Sequence, residues 1–414
     1  MKRKLIALLT AGHIVTDINQ GALPALLPFF MASHNMSYAA AASLVFAANV
    51  SSSIIQPLFG YFSDKIAVPW IMPLGILLAG AGLAMTGLTS NYWVIFTAVA
   101  ISGIGVAAFH PEGARLANIA AGAKKGTGVS MFTAGGNIGL ATGPLLAILA
   151  LTVLGLKGTL VLLLPVGVVA AMFMAYSGKI RECQKSAAVM VDGNSVQESE
   201  NNTQNDGGDM EAAASGQPKD SWGSFGRLTG AITCRSIIFF GLNTFLPLYF
   251  INVFRQNKTA SGTSLTILLL SGVISTIVAG RMADKYGQRN VVRFGFAVLI
   301  PALLIFAAVQ NVRLATFMLV PVGLALFTPF SPMVVLGQKY LPNHMGLASG
   351  VTYGLAVSIG GVFAPLLGVI ADNYGVQRVI ELLTILPVIA LIIAFLLPLP
   401  GVGKPISTNI QIPE

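Results

Sequence analysis

Long apolar segments recur along the whole chain and are separated by short polar stretches. Each is close to the roughly 20 residues that a helix needs to cross the hydrocarbon core of a bilayer. The segments are continuous apolar runs and lack the alternation of apolar and polar positions that marks the strands of a membrane barrel. The pattern predicts an all-α membrane protein with twelve transmembrane helices, at residues 5–31, 39–61, 70–88, 93–113, 127–151, 159–178, 229–251, 262–281, 291–309, 314–338, 346–371 and 379–398.

Two motifs occur twice, at nearly the same separation. The hexapeptide that begins at Gly60 (GYFSDK) returns at Gly280 (GRMADK), and the segment that begins at Ile138 returns at Ile359. Offsets of 220 and 221 residues for unrelated motifs are typical of a duplicated unit. The sequence therefore predicts two pseudo-symmetric six-helix halves around a site at their interface, with the first half at 1–178, a linker at 179–228, the second half at 229–400 and a cytoplasmic tail at 401–414.

The linker is the long polar stretch between the predicted halves. Its middle, from Asp192 to Asp220, has few apolar residues, so it cannot bury enough surface to offset the entropy of ordering. We expect a flexible cytoplasmic segment that acts either as a passive tether or as a regulatory element.

Composition and charge agree with a membrane protein. The chain is 55% hydrophobic and 9% charged, whereas soluble domains carry roughly 25% charged residues. The net charge of +9 is unevenly placed: with the N-terminus inside, most of the 24 Lys and Arg fall on the cytoplasmic side. This is the positive-inside pattern. The basic excess therefore predicts a multi-pass protein with both termini in the cytoplasm, in contact with the lipid bilayer and not with nucleic acid.

The first apolar run and the cysteines need separate interpretation. The run follows Lys2 to Lys4, extends to about Met31 and carries Asp17 without a convincing cleavage site, so we interpret it as a retained first helix. Cys183 and Cys234 lie in the predicted linker and at the start of a helix. They indicate neither a disulfide nor a cysteine-based metal site.

The repeated hexapeptide places an acid and a base at the cytoplasmic end of a helix. These are Asp64 and Lys65 in the first copy, and Asp284 and Lys285 in the second, which continues to Arg289. The motif resembles the signature of the major facilitator superfamily. Such charges can latch the two halves when a carrier faces outward, or they can form a solvated turn that only orients the helices.

Further motifs span nearly the whole chain outside the linker: Gln56-Pro57, Pro69-Trp70, Phe109-His110-Pro111-Glu112-Gly-Ala-Arg115, Gly135-Gly136-Asn137, Gly143-Pro144 and Gly360-Gly361. Together they resemble the fosmidomycin-resistance family of bacterial drug exporters. The resemblance implies efflux of a small drug, such as the phosphonate fosmidomycin, in exchange for protons across the bacterial inner membrane. A proton gradient would supply the energy with no cofactor, and we expect a monomer. Val99 occupies the helix 4 position where many drug antiporters of the superfamily have an arginine.

The first predicted helix carries three polar residues on one face. His13, Asp17 and Gln20 follow one another at i, i+4 and i+7, and Asp17 is about 18 Å from the helix start, near the bilayer centre. A charged group at that depth is costly and usually functional. Asp17 is therefore a candidate proton carrier or a carboxylate tied to a structural partner, and His13 and Gln20 are candidate substrate contacts.

The end of the fourth predicted helix holds a second polar group. His110 and Glu112 flank Pro111, which removes a backbone hydrogen bond, and Arg115 is one turn beyond Glu112. The group could titrate, with His110 responding near neutral pH and Arg115 contacting the substrate, or it could hold the helix end in place. A zinc site is not expected because no further His or Cys stands at ligand spacing.

The remaining candidates lie on helices 5 and 7. Arg235 shares a helical face with Asn243 and could bind a phosphonate or carboxylate, or extend to the interface. Asn137 could line a cavity or make packing contacts. Gly139, Gly143 and Pro144 resemble the antiporter motif of helix 5, where glycines would allow close packing and the proline a bend.

Our leading hypothesis is a proton-coupled exporter of small drugs that works by alternating access. The alternative is a symporter that takes up an organic anion or a sugar with protons, because flux direction is not encoded in these residues. A receptor would need a folded binding segment, and an enzyme would need a nucleophile, a phosphate loop or a metal cluster. The sequence provides none of these patterns.

Overall fold

A computed structural model describes residues 1–65, 68–122, 125–184, 220–344, 347–348, 351–352 and 356–399. These ranges are helical and contain no strand. The first half consists of α1 (Arg3–His34), α2 (Tyr38–Lys65), α3 (Ile71–Met85), α4 (Tyr92–Ala121), α5 (Lys125–Leu154), α6 (Leu163–Ala175) and a short α7 at 177–184, with 3-10 segments at Thr86–Leu88 and Gly155–Leu162. The second half consists of α8 (Trp222–Asn252), α9 (Lys258–Tyr286), α10 (Gln288–Ala308), α11 (Val312–Phe327), α12 (Phe330–Tyr340), the 3-10 segment Pro342–His344, α13 (Ala356–Tyr374), α14 (Val376–Leu383) and α15 (Leu386–Phe395).

Nine helical stretches of the described chain are long and apolar enough to cross a bilayer. One of them, Ser130–Ala175, has 46 residues, which is enough for two crossings. The all-α membrane fold is therefore confirmed, whereas the count of twelve stays a prediction. Side chains such as Leu149, Val153 and Ile392 are more than half exposed, as expected of helices whose outer surface faces lipid.

Several helix boundaries differ from the sequence prediction. The predicted linker began at 179, but residues 177–184 form α7, because Ile180 and Cys183 bury their side chains against the first half. α8 begins at Trp222 rather than at 229, since Phe225 and Leu228 join the core of the second half. The span predicted at 314–338 is divided between α11 and α12 next to Pro329, where a proline interrupts the helical hydrogen bonds.

Equivalent helices of the two halves begin with similar side-chain caps, as expected of a duplication. The side chain of Asn91 accepts hydrogen bonds from the backbone N–H groups of the first turn of α4, and Asn311 does the same for α11. Ser37 accepts from Ala40 at the start of α2, and Asn257 caps α9. In both pairs the capping positions are separated by 220 residues, the offset of the repeated hexapeptide. Each half therefore uses the same turn chemistry to start its second and fourth helices.

The two halves contact each other mainly through α2 with α13 and α5 with α9, which are equivalent pairs under the duplication. At the end of the bundle that holds the α1–α2 turn, the Asp372 carboxylate accepts hydrogen bonds from the backbone N–H groups of Tyr38 and Ala39, at 2.7 and 2.9 Å. At the same end, the Lys258 ammonium lies 4.6 Å from the centre of the Phe29 ring. We call this end the α1–α2 end. It is closed by contacts between the halves.

Candidate functional site

Three polar side chains from α1 and α4 meet inside the first half. His13 Nε2 lies 3.3 Å from one oxygen of Asp17, and His110 Nε2 lies 2.9 Å from the other. Asp17 is only 8% exposed as a residue. We call these residues the His–Asp–His cluster. The predicted placement of His13 and Asp17 on one face of α1 is present, the two side chains also contact each other, and His110 joins them across the helix interface.

The position of one hydrogen in this cluster follows from the partners of His13. Its Nδ1 lies 2.8 Å from the backbone carbonyl of Phe132, which can only accept, so Nδ1 carries a hydrogen. Its Nε2 faces a carboxylate oxygen of Asp17. This contact is favourable only when one proton lies between them, either on the imidazole, which is then an imidazolium, or on the carboxyl. The geometry therefore indicates one proton shared between His13 and Asp17.

The neighbouring helix α5 is shaped to accommodate this pair. The His13 ring stacks on Phe132, with ring centres 4.1 Å apart. A side chain at Gly136 would collide with His13 Nε2 and Asp17 Oδ2. Gly139 and Gly143 continue the contact toward the other end of α1, where an added Cβ would collide with the backbone of Ile14 and Ile18. Glycines at these positions let α5 approach α1 closely.

The cluster also has to be tested as a metal site, because its three donor atoms lie within 4.8 Å of one another. Two imidazoles and a carboxylate are ligands that zinc-like ions accept. A tetrahedral ion with bonds near 2.1 Å would hold its ligand atoms about 3.4 Å apart. The 2.9 Å separation of His110 and Asp17 is a direct hydrogen bond instead. The arrangement is therefore that of a hydrogen-bonded ion triad.

A cavity of about 280 Å³ lies between the halves, next to the cluster. Its wall combines polar side chains of α1, α2 and α4 with aromatic side chains and an amide of α8: Gln20, Asn49, Ser52, Ser53, Gln56, His110, Phe239, Phe240 and Asn243. His110 belongs to both the cavity wall and the cluster. A ligand in the cavity and a proton in the cluster can therefore influence each other through one imidazole.

Arg235 lies one turn from the cavity wall, on the face of α8 that also carries Phe239 and Asn243. It is 4% exposed, and its guanidinium stacks over the Phe330 ring at 4.6 Å. Its Nε has no hydrogen-bond partner, and in the described part of the chain it forms no ion pair. The guanidinium is therefore buried between α8 and α12. A buried cation with spare donors is suited to an anionic ligand.

The predicted group at the end of helix 4 is divided into two sites. Pro111 lies inside α4, and His110 faces the cluster, while Glu112 points away and is fully buried. Glu112 accepts two hydrogen bonds at 2.8 Å from Arg115 and one at 2.7 Å from Gln184 of α7. This pairing leaves neither Glu112 nor Arg115 on the wall of the central cavity. The i, i+3 pair of Glu112 and Arg115 expected from the sequence is present, but His110 is not part of it, because successive residues of a helix face in different directions.

The remaining predicted residues are outside the cavity wall or outside the described side chains. Asp64 and Lys65 have side chains outside the described residues. Asp284 and Lys285 are exposed at the end of α9, and Arg289 donates a 3.1 Å hydrogen bond to the Leu397 carbonyl within the second half. Asn137 is half-buried but absent from the wall described above, and Pro144 is inside α5.

Sequence reasoning missed the partners that complete the site. Phe132 contributes a carbonyl and a ring, and its side chain alone would suggest only a core position. Gln184 falls in the segment predicted to be a flexible linker, so its contact with Glu112 could not be foreseen. The Asp372 cap is 333 residues from Ala39. The sequence signal for this cap is an acid at the end of an otherwise apolar helix.

The fold, the interfacial cavity and the buried ion triad define the class of a membrane transporter. The family model of the Major Facilitator Superfamily matches residues 9–365, and the chain belongs to this family. It is 29% identical to "Uncharacterized MFS-type transporter YfnC" of Bacillus subtilis (strain 168), over 93% of the chain and 90% of that protein. It is also 25% identical to the "Fosmidomycin resistance protein" of Escherichia coli (strain K12), over 95% of the chain and 92% of the relative.

Solved structures of the same fold include remote transporters. A bacterial homologue of the human lysosomal transporter Spinster, in an inward-facing and occupied conformation, matches with a TM-score of 0.75 at 13% identity, over 95% of this chain and 96% of the other. A point mutant of the nucleoside transporter NupG matches with a TM-score of 0.68 at 14% identity, over 95% and 99%. These structural similarities show that the chain has the same fold. The expected transporter fold and the similarity to the fosmidomycin resistance protein are confirmed.

Proposed function

We propose that this transporter exports small drugs, fosmidomycin-like phosphonates first, in exchange for protons. The observation that carries the proposal is the His–Asp–His cluster, which shares His110 with the wall of the cavity between the halves. The similarity to the fosmidomycin resistance protein supports the choice of cargo.

The cluster suits proton coupling because its charge depends on one proton. With the proton present, His13 and Asp17 form a satisfied pair and His110 donates to the second carboxylate oxygen. When that proton leaves, the carboxylate faces the lone pair of His13 Nε2, and His110 is the remaining donor of the cluster to Asp17. The proton of the pair and a drug at the cavity wall are thereby coupled through the imidazole of His110.

The conformation supports loading from the cytoplasm. The halves are closed at the α1–α2 end, and the positive-inside pattern assigns that end to the outside. The protein would then lie in the bacterial inner membrane with both termini in the cytoplasm, and a drug would enter from the cytoplasmic side. Arg235, buried without an ion-pair partner in the described chain, would attract the phosphonate group.

The proposal is tested by fosmidomycin flux in proteoliposomes under an imposed pH gradient. The wild type is compared with Asp17→Asn and with Glu381→Gln, a control that neutralises a carboxylate at the exposed surface. We expect drug flux opposite to proton flux in the wild type and in the control. Asp17→Asn should lose gradient-driven accumulation at least tenfold but keep drug exchange without a gradient, because the cavity is intact.

Each alternative gives a different result. Gradient-driven flux in Asp17→Asn equal to that of the wild type would exclude the cluster as proton carrier. Drug moving in the same direction as protons would support the symporter, and an absence of fosmidomycin flux in a folded protein would remove the phosphonate cargo.

A further inference from the structure

A second cavity lies far from the central one, where the start of α1 meets the junction of α6 and α7. Its volume is about 330 Å³. Four cations, one carboxylate and one aromatic ring are among its lining side chains: Lys2, Arg3, Lys4, Lys179, Glu182 and Tyr176. We call it the basic cavity. From the geometry we infer that it binds the phosphate headgroup of an anionic membrane lipid.

The cations in this cavity need an anion. In the described part of the chain none of the four pairs with a carboxylate. Three of them lie at the beginning of α1, whose first turn contains no acidic residue and whose cap position makes no side-chain hydrogen bond. Positive charge is unfavourable there, because the helix dipole already makes a helix N-terminus positive. A bound phosphate would neutralise the side chains.

The surrounding structure holds the cations in place. The backbone N–H of Lys2 donates a 2.8 Å hydrogen bond to the carbonyl of Ala120, at the end of α4. The Lys179 ammonium lies 5.0 Å from the centre of the Tyr176 ring. The backbone contact anchors the beginning of α1 to α4, and the ring contact restricts the Lys179 side chain, which lowers the entropy cost of binding.

A lipid is favoured over free phosphate by the surface that leads to the cavity. Leu164, Val168 and Met172 are 68%, 62% and 43% exposed and follow one another at i, i+4 and i+8 on α6. This apolar stripe continues to Tyr176 and Lys179. An acyl chain lying along the stripe would bring its phosphate to Lys179, with Tyr176 at the depth where aromatic side chains meet lipid headgroups.

The test is lipid binding to the purified full-length protein, measured by native mass spectrometry. Phosphatidylglycerol, phosphatidylcholine and inorganic phosphate are the probes, and Lys179→Gln is compared with Arg181→Gln. The control removes the same charge two residues away, from an exposed side chain that does not line the cavity. We expect phosphatidylglycerol to bind more tightly than phosphatidylcholine, Lys179→Gln to weaken it about fivefold, and Arg181→Gln to bind like the wild type.

Three results would overturn the inference. These are equal affinity for the two lipids, equal weakening by Lys179→Gln and Arg181→Gln, or displacement of phosphatidylglycerol by equimolar inorganic phosphate. The third result would identify free phosphate as the ligand. Because transport is not measured, failure of the drug-export proposal would leave this test unaffected.

Discussion

At the scale of single residues, the His–Asp–His cluster depends on Gly136 of α5, a neighbour that has no side chain. Gly136 lies against His13 and Asp17, so a methyl group there must displace one of them. We predict that Gly136→Ala lowers stability by about 1–3 kcal/mol, the usual range for overpacking, and reduces gradient-driven transport. Thermal unfolding in detergent and flux in proteoliposomes measure the two effects.

The matched control is Gly167→Ala on α6, where an added Cβ meets nothing within 4 Å. In that helix an alanine should leave stability unchanged or raise it by up to about 1 kcal/mol. If Gly136→Ala behaved like Gly167→Ala in both measurements, the close approach of α5 would not be needed to hold the cluster.

The residue scale also marks the limit of what the sequence revealed. His13 and Asp17 were placed on one face because helical spacing is a local property. The meeting of Asp17 with His110 joins residues 93 positions apart, and spacing within one helix contains no information about it. The contacts of Glu112 could not be predicted from its neighbours in the sequence either. Its buried position and its contact with Gln184 depend on how α7 folds back, not on its proximity to His110.

At the scale of secondary structure, short polar contacts fix where helices begin. Asp220, before α8, accepts hydrogen bonds from the backbone N–H of Asn343 at 3.1 Å and from His344 at 2.6 Å. Desolvation acts to raise the pKa of Asp220, but these hydrogen bonds and the nearby imidazole outweigh it and hold the pKa below its usual value of 3.8. The contact joins the start of α8 to the segment after α12.

The sign of the resulting pH dependence follows from this lowered pKa. A carboxyl whose folded pKa is depressed contributes stability above its unfolded pKa, and that contribution disappears as the pH falls through the folded pKa. We predict that Asp220→Asn lowers the unfolding temperature above about pH 4, and that the difference from wild type shrinks as the pH falls through the folded pKa, which lies below 3.8. Scanning fluorimetry across this pH range measures it.

Asp284→Asn provides the comparison, because Asp284 is an exposed carboxylate with no ion pair in the described chain. It should change the unfolding temperature little at any of these pH values. A constant difference between Asp220→Asn and wild type down to pH 3 would show that the Asp220 carboxylate does not contribute through its charge.

At the scale of the whole molecule, the duplication visible in the sequence determines how the halves meet. Repeated motifs predicted two similar bundles, and the equivalent caps at Asn91 and Asn311 follow the same offset. The conformation could not be predicted in this way, because a rocking transporter uses one sequence for several arrangements of its halves. The closed α1–α2 end depends on contacts such as that of Asp372 with the start of α2, which join distant parts of the sequence.

The Asp372 contact leads to a prediction about the equilibrium between the closed and the open states of the α1–α2 end. Both carboxylate oxygens accept backbone N–H groups at the start of α2, where negative charge is also favoured by the helix dipole. Asparagine offers one acceptor and no charge, so Asp372→Asn should weaken the closed state by about 1.5–3 kcal/mol, the value of hydrogen bonds to charged groups. The population open at this end should rise about tenfold or more.

A cysteine introduced by Ala42→Cys, at a fully buried position packed against the second half, reports this opening in a Cys183→Ser, Cys234→Ser background.

Labelling of that cysteine by a membrane-impermeant maleimide added outside cells should accelerate in Asp372→Asn and not in Asn373→Ala. In the part of the chain that the structure describes, the Asn373 side chain donates its hydrogen bond within its own helix, to the Val369 carbonyl. Replacing Asn373 therefore tests the effect of altering this helix end without removing the cap. Equal labelling rates in the two variants would show that the cap does not hold the halves together.

Faster labelling only from the cytoplasmic side would place the α1–α2 end inside, reversing the orientation derived from the basic residues. Because the cap and the positive-inside pattern are independent observations, acceleration from outside would establish together that this contact closes the outer end and that the basic residues assign the orientation correctly.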